Sequence, residues 1–509
     1  MKRTILALIG FSLVLAAVAV ACTEEKEIRI VETVIVEKEV VVEKEVVATA
    51  APLTGGVAIE KAKYGGELKI TAQGSIKSLD VGFAPAYVTY AVGSQIYEYP
   101  FGLDQNYNSQ PQAVDEFNLS ADGLTWTFKL REGLMFSNGN PVTADTMIGS
   151  YPRWIDGSGG GKFVDEYLAP NGLQKTDNLT WTMKFTRSIG GVPDIMGWMY
   201  RGFWIFDEAM ASKPAGEDAS EGDIANLVGS GPYKIEEWVV GDHVSLVRNE
   251  GYIPRSEPGS YTAGGKRAYI DKLTWFEIPA EETKIAGLKT AEWDVVDGAG
   301  LDHFFPLSED PNIKISTYPF HKSFLGISHK EPPTDSQKIR QAILIALDWE
   351  QLMSGIGPKE LWFLCPAIYY CNTPLETDIG ADEWYSQNDI PRAKALLEEG
   401  GYAGETLFIM NPADYATIAP LGPVLKAQLE DIGMTTEMPG MDWSTLISRI
   451  YDLGWNLFTS WSTHNGFGSP IHDLNNVDGG TGYGGGFSFA DQIEARKEFA
   501  FAATPAEQL

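Results

Sequence analysis

Polar and apolar positions alternate along Glu67-Leu68-Lys69-Ile70-Thr71-Ala72, Leu124-Thr125-Trp126-Thr127-Phe128-Lys129-Leu130 and Leu179-Thr180-Trp181-Thr182-Met183-Lys184-Phe185. A period of two sends successive side chains to opposite faces, so each run predicts a strand with one buried face. The first and last of these strands look like hairpin partners in a small sheet. A helix is expected over 87–97. Asn138-Gly139-Asn140-Pro141 predicts a turn, and Thr143 a cap for a helix opening at Ala144, because its hydroxyl can accept an orphan amide of the first turn.

After Gly229-Ser230-Gly231-Pro232-Tyr233, strands are expected over 233–239 and 243–248, joined at Gly241-Asp242, and over 273–278. A helix over 281–289 and a short strand over 294–296 follow. Beyond residue 300 the alternation resumes: strands over 313–317, 324–327, 407–410 and 455–458, and helices over 336–347, 393–399 and 419–432, the second stopped at Gly400-Gly401. This order predicts a mixed α/β architecture. At the end, Thr504 and Pro505 announce a helix that Leu509 cuts off, which reads as a truncated frame.

The first residues break this pattern. Lys2 and Arg3 precede an apolar run from Ile5 to Ala21, the layout of a secretory signal over 1–21. Ala19-Val20-Ala21 immediately before Cys22 is the layout of a bacterial lipobox, with Ala19 where Leu is commoner. Lipidation of Cys22 is therefore expected; an ordinary signal with a chance cysteine, or an uncleaved anchor, is the plainer alternative. Each buried CH₂ of an acyl chain contributes roughly 0.8 kcal/mol, so two or three chains anchor stably. Val36-Glu37-Lys38-Glu39-Val40-Val41 then repeats as Val42 to Val47, a period that suits no packed core. Residues 22–63 read as a stalk, with a short coiled coil or rod as the alternative. No later segment has the ~20 continuous apolar residues a span requires. The folded part is expected to be exported and tethered, at the outer face of the cytoplasmic membrane or in the periplasm. Cys365 and Cys371 read as an export-compatible disulfide, or otherwise as two free buried thiols.

Composition narrows the partners. The 509 residues suffice for two to four domains at roughly 100–200 residues each. An apolar fraction of 44% and a charged fraction of 21% exclude global disorder. Lys and Arg number 39 against 69 Asp and Glu, a net charge of −30. Such a surface repels phosphate backbones and anionic headgroups, so no nucleic-acid partner is expected and any membrane tie runs through the lipid anchor alone.

The stretch Ala121-Asp122-Gly123-Leu124-Thr125-Trp126-Thr127-Phe128-Lys129-Leu130-Arg131-Glu132-Gly133, continued by Phe136-Ser137-Asn138-Gly139-Asn140-Pro141-Val142-Thr143-Ala144-Asp145, resembles the signature of family 5 of the bacterial extracellular solute-binding proteins. Gly229 to Tyr233 resembles a second hallmark, and Lys338-Ile339-Arg340-Gln341-Ala342 with Ala346-Leu347-Asp348 a third. The family comprises dipeptide-, oligopeptide- and nickel-binding lipoproteins of ATP-driven importers. The resemblance runs from about Tyr64 to the last residue. It implies a two-lobe periplasmic-binding-protein (Venus-flytrap) fold, type II-like, with an extra domain inserted in the first lobe. The implied division is 64–97 and 223–299 for the first lobe, 98–222 for the inserted domain and 300–509 for the second lobe. The usual return of the chain to the first lobe is expected to be missing.

It also implies capture of a small solute without covalent chemistry, a permease and its ATPase subunits as partners, and a monomer. In peptide binders of the family, an acid three residues after a Trp pairs with the peptide's amino terminus. In Ser460-Trp461-Ser462-Thr463-His464-Asn465 that position is His464, a poor partner for an ammonium group. The resemblance makes Trp461, His464, Thr463, Ser460 and Arg449 candidate ligand-binding residues, with Trp154 and Phe83 placed by position only. The plainer alternative puts Trp461 in the core and His464 on a solvated loop. A peptide is the first expectation, and an oligosaccharide stacked on aromatic walls the second.

Other signals carry less. Gly480-Thr481-Gly482-Tyr483-Gly484-Gly485 contains a G-x-G-x-x-G string without the preceding strand that a dinucleotide site needs. His464, His472 and Asp473 lack a tight metal-ligand spacing. Neither a G-x-S-x-G elbow nor a His-Glu-x-x-His helix occurs in the sequence. A glycosidase carboxylate pair has no fixed spacing and stands as the rival of another class, a secreted glycoside hydrolase. No cofactor, resident metal or catalytic residue is expected.

Overall fold

A computed structural model describes residues 63–502 apart from 83–85, 107, 215–223, 317–320, 368–370, 372–375, 416, 451, 453, 464–469, 471–484 and 486–488. The signal sequence, Cys22 and nearly all the stalk lie outside the described residues, as do Phe83, His464, His472, Asp473, most of the Gly480–Gly485 string and the 504–509 terminus. All described residues belong to one compact unit, Gly55–Leu509. No helix among them is long and apolar enough to cross a membrane.

The chain opens with β1 (Glu67–Thr71) and α1 (Tyr87–Ile96). It continues through β2 (Phe101–Leu103), β3 (Ser109–Pro111), β4 (Val114–Leu119) and β5 (Thr125–Leu130). Then come α2 (Ala144–Gly157), α3 (Gly159–Tyr167), β6 (Leu168–Lys175) and β7 (Thr180–Phe185). β8 (Tyr233–Val239), β9 (His243–Arg248), β10 (Lys272–Phe276), α4 (Glu281–Lys289) and β11 (Val295–Val296) follow. β1 runs parallel to both β10 and β11, and antiparallel β9 and β8 complete a five-stranded sheet in the order β11-β1-β10-β9-β8. The expected pairing of the 67–72 and 179–185 strands is therefore not formed. β7 pairs instead with β5, antiparallel, in the sheet β4-β5-β7-β6.

The alternation explains that smaller sheet. Trp126, Phe128 and Leu130 of β5 and Trp181, Met183 and Phe185 of β7 turn to one buried face. Trp126, Phe128 and Trp181 stack in succession with centroids 5.8 and 5.1 Å apart, each pair contributing about 0.5–1.5 kcal/mol beyond its buried area. α2 covers this face, opened by a capping box in which Thr143 accepts from the Thr146 amide.

The boundaries of the inserted segment differ from expectation. Over 203–206 alternate side chains serve two cores: Phe203 and Ile205 face that of the insertion, Trp204 and Phe206 that of the first sheet. Tyr99 and Met210 also join the first-sheet core. Arg153 on α2 crosses the junction to pair with Asp80, both side chains fully buried.

The second lobe contains β12 (His321–Ile327), α5 (Gln337–Ala346), α6 (Ile390–Glu399), β13 (Thr406–Pro412), α7 (Leu421–Asp431), β14 (Thr435–Glu437), β15 (Gly440–Met441), α8 (Trp443–Arg449) and β16 (Leu457–Thr463). Its sheet has the order β12-β16-β13-β14, with β15 added to the end of β13. β13 and β16 are parallel. α5, α6 and α7 pack one face around Leu407, Ile409 and Leu457, and α8 packs the other around Met410 and Phe458. Residues 313–316 form no strand; their alternation has no partner, and an isolated strand is not stable in water. Cys365 and Cys371 are joined by a disulfide with Cα atoms 5.8 Å apart.

α9 (Ala490–Phe501) corrects the assignment of all of 300–509 to the second lobe. Ala500 is fully buried in the core of the inserted segment, with Phe499 and Phe501 packed beside it. Arg187 lies 3.6 Å over the Phe501 ring, and Lys497 pairs with Glu166 at 3.6 Å. The chain thus comes back to the inserted segment through this helix.

Candidate functional site

In α/β proteins ligands gather outside the carboxyl ends of parallel strands, where backbone and loops converge. Both large sheets have such an edge. In the second lobe it is formed where β13 ends at Pro412 and β16 at Thr463. Asp414, just past β13, accepts the Trp443 amide at 2.8 Å, and Asp442 caps α8 by accepting the Thr445 amide at 2.9 Å. These contacts hold Trp443 beside Tyr415, with centroids 5.2 Å apart, and Tyr415 lies 5.9 Å from Trp461. All three rings are half-buried. They make an aromatic cluster, with the Trp461 indole nitrogen itself turned inward.

Trp461 is thus placed near the end of β16, half-buried against the helical core. Arg449 is not its neighbour. Its guanidinium sits 5.1 Å over Phe408 on the α8 face of the sheet, whereas Trp461 packs on the α7 face. Ser460 is fully buried and its hydroxyl donates to the Trp461 carbonyl at 3.4 Å, so as a ligand contact it is corrected to a core residue. Thr463 ends β16 opposite His321. Trp154 is also corrected: 2% exposed, it packs 5.0 Å from Phe203 in the inserted core. Tyr415 and Trp443 were missed from sequence, although Asp442 before Trp443 is a helix-cap signal that could have placed the tryptophan on a helix start.

In the first lobe the corresponding edge lies where β1 and β11 end side by side. The Asp297 amide donates to the Thr71 carbonyl at 3.3 Å. Gly298 has φ +74°, and a Cβ there would lie 2.6 Å from Gln73, so the turn after Asp297 needs glycine. Lys284 of α4 donates to the Ala72 carbonyl at 2.7 Å. Burial holds the Lys284 amine below its ordinary value against the pull of Glu281 and Asp297. Burial likewise pushes the Asp297 carboxyl up to about 6, with Lys284 and a hydrogen bond from Tyr87 opposing it.

Just past this edge the chain meets the other lobe. Leu301 packs against the second lobe's helical core, and Gly357 approaches it so closely that a Cβ would lie 2.8 Å from the Leu301 Cβ. At most about 3.6 Å per residue separates Leu301 from Asp297, four positions earlier. Among the described residues, two other cavities lie elsewhere. One of about 10 Å³ is closed inside the second lobe beneath Phe324 and Leu425, and one of about 500 Å³ is an open depression between α2 and α3. Neither touches the aromatic cluster or Asp297. No group of His, Cys, Asp and Glu among the described residues is arranged to hold a metal.

The sequence matches the model of the bacterial extracellular solute-binding proteins, family 5, over residues 108–485. The chain belongs to that family. A probable peptide ABC transporter periplasmic-binding protein of Sinorhizobium fredii is 30% identical over 407 residues, covering 76% of this chain and 74% of that protein. The glutathione-binding protein of Escherichia coli K12 is 22% identical over 410 residues, covering 78% and 75%. The periplasmic binding protein DppA of Helicobacter pylori, in complex with the peptide STSA, aligns with a TM-score of 0.70 at 19% identity, covering 88% of this chain and 89% of that one. The fold of this solute-binding protein is accordingly the two-lobe type II fold.

Its second hallmark has a packing reason. A Cβ at Gly229 would lie 2.0 Å from the Ile96 carbonyl oxygen, and one at Gly231 2.7 Å from the same atom. The Gly231 amide donates to that carbonyl at 2.8 Å, closing the end of α1. The motif thus seats β8 on the helix whose first turn carries Tyr87.

Proposed function

We propose that this protein is the substrate-binding component of an ABC importer, that it captures a peptide-like solute between its lobes, and that it delivers the solute to a membrane permease driven by ATPase subunits. The observation that carries the reading is the aromatic cluster of Trp461, Tyr415 and Trp443 at a parallel-strand edge, in a chain related to a protein named as a peptide transporter component. Closure of the lobes over the solute excludes water, so polar groups discriminate more sharply than at a surface. Only a solute with different affinity for the open and closed forms can signal occupancy to a permease. No step requires bond making, so the chain acts as a monomeric carrier, not a hydrolase. Cys22 is the attachment point of the lipid anchor, residues 22–63 are the stalk, and the exported domain works outside the cytoplasmic membrane.

The same cluster favours a second reading, an oligosaccharide, because sugar ring faces stack on indole. Native mass spectrometry of freshly purified protein distinguishes the two by the mass of a retained solute. Titration with a tripeptide library and with maltooligosaccharides should shift tryptophan fluorescence and shrink the radius of gyration in X-ray scattering with one class, and leave the probes intact. Turnover of either probe rejects the carrier reading. For the anchor, radiolabelled palmitate should enter the wild-type chain and not Cys22→Ser.

A further inference from the structure

Several acids around the first-lobe sheet are committed to partners. Asp294 accepts the Lys69 amide at 2.8 Å. Glu281 takes the Gly300 amide and stands 3.6 Å from His303. At the opposite end of the sheet Asp271 pairs with Arg248 at 2.7 Å. Among the described residues no lysine, arginine or histidine forms an ion pair with Asp297, and its one hydrogen-bond donor is the Tyr87 phenol. Lys284, whose charge is felt at Asp297, directs one of its N–H groups to the Ala72 carbonyl and forms no ion pair with the carboxylate. A half-buried carboxylate without an ion-pair partner is costly, because its charge is partly desolvated and offset by Lys284 only through space. Here it is also fixed in place: its amide is tied to Thr71 and the following turn is pinned by Gly298 against Gln73.

The position suits a ligand. Asp297 terminates β11 at the carboxyl edge beside β1, four residues before Leu301 enters the second lobe's core. We propose that the Asp297 carboxylate is the subsite for a cationic group of the solute, a primary ammonium or a guanidinium, with Tyr87 as the positioning residue that orients the carboxylate. The proposal rests on the reading of the interlobe space as the solute site. A cationic group arriving on lobe closure supplies the missing charge, and a charge-assisted hydrogen bond in a water-poor site is among the stronger contacts available. Solutes lacking such a group leave the carboxylate buried and unpaired, so the residue selects as well as binds.

The test is native mass-spectrometric titration of the full exported domain, wild type, Asp297→Asn and Tyr87→Phe. The probes are a tripeptide library with free amino termini, the same library N-acetylated, and 1,4-diaminobutane. Asn is nearly isosteric with Asp, and a melting curve for each variant checks the fold. The expected result is wild-type preference for the free-amine library over the acetylated one. Asp297→Asn should weaken the free-amine library at least tenfold, about 1.4 kcal/mol, and leave the acetylated library bound as well as or better than by wild type. Tyr87→Phe should give a smaller loss in the same direction. Equal binding of the free-amine library by wild type and Asp297→Asn overturns the inference and leaves the peptide reading standing. Diaminobutane binding that depends on Asp297, with neither library bound, upholds the inference and removes the peptide reading. No complex with any probe overturns both.

Discussion

Burial pushes the Asp297 carboxyl from 3.8 up to about 6 against the opposing influence of Lys284 and Tyr87. Between those values the folded chain holds a proton that the unfolded chain has released, so stability falls as the pH rises through that window. The melting temperature of Asp297→Asn relative to wild type should therefore increase from about pH 4 to about pH 7; a constant difference would contradict the desolvation argument. His329 has the opposite sign. Burial, then Arg340 and Lys330, hold its imidazole down to about 4 from 6.5, against the Phe489 ring at 6.1 Å. Its contribution is complete above about pH 6.5 and is lost as the pH drops toward 4, because the unfolded histidine binds the proton first. His329→Gln should flatten the acid side of the stability profile, as thermal melts across that range will show. The buried Asp80–Arg153 pair makes a larger claim. Arg153 also donates to the Pro214 carbonyl at 3.0 Å, so Asp80→Asn leaves a buried cation short of its counter-charge. The expected loss is about 3–5 kcal/mol in urea denaturation, and a loss below about 1 kcal/mol would place the pair in the class of screened surface contacts.

At the scale of elements, patterning was legible where one face is buried and the neighbour is close. The strands at 125–130 and 180–185 and the capped helix at 144–157 formed where alternation and Thr143 predict them. α3 was missed because Gly159-Gly160-Gly161 opposes helix formation. Packing overrides that propensity: a Cβ at Gly161 would lie 2.8 Å from the Trp154 carbonyl, so only glycine lets the two helices meet. The reverse failure occurred at 313–316, where alternation had no partner strand. The glycine hallmark gives the test at this scale. Gly229→Ala places a methyl group 2.0 Å from the Ile96 oxygen, and should cost about 1–3 kcal/mol by forcing α1 and β8 apart. A stability equal to wild type would show that this junction yields easily.

For the whole molecule, the chain path matters more than any single element. α9 leaves the second lobe's neighbourhood and seats Phe501 among Phe163, Tyr167 and Arg187 of the inserted segment. Phe501→Ala should lower stability by about 2 kcal/mol, less than a fully buried phenylalanine because the ring is half-exposed. It should leave solute affinity unchanged if the helix is purely a clasp. Trp461→Ala should do the opposite, weakening solute binding at least tenfold with a smaller effect on melting, since aromatic contacts in a closed cleft dominate affinity.

The sequence by itself determined the period of the strands, the cap of α2, the turn glycines and, through three motifs, the family and its two-lobe fold. These are local properties, fixed by backbone geometry and side-chain alternation over a few residues. Only the tertiary structure decided which strands pair, that Ser460 and Trp154 are core while Tyr415 and Trp443 join Trp461, and that Arg449 lies on the other face of the sheet. The physical reason is that burial belongs to the assembled layers: a tryptophan at a strand edge and one in a core have the same local sequence signature. Asp297 marks the same boundary, because an acid among 69 acidic residues becomes distinctive only when the fold partly desolvates it without giving it an ion-pair partner.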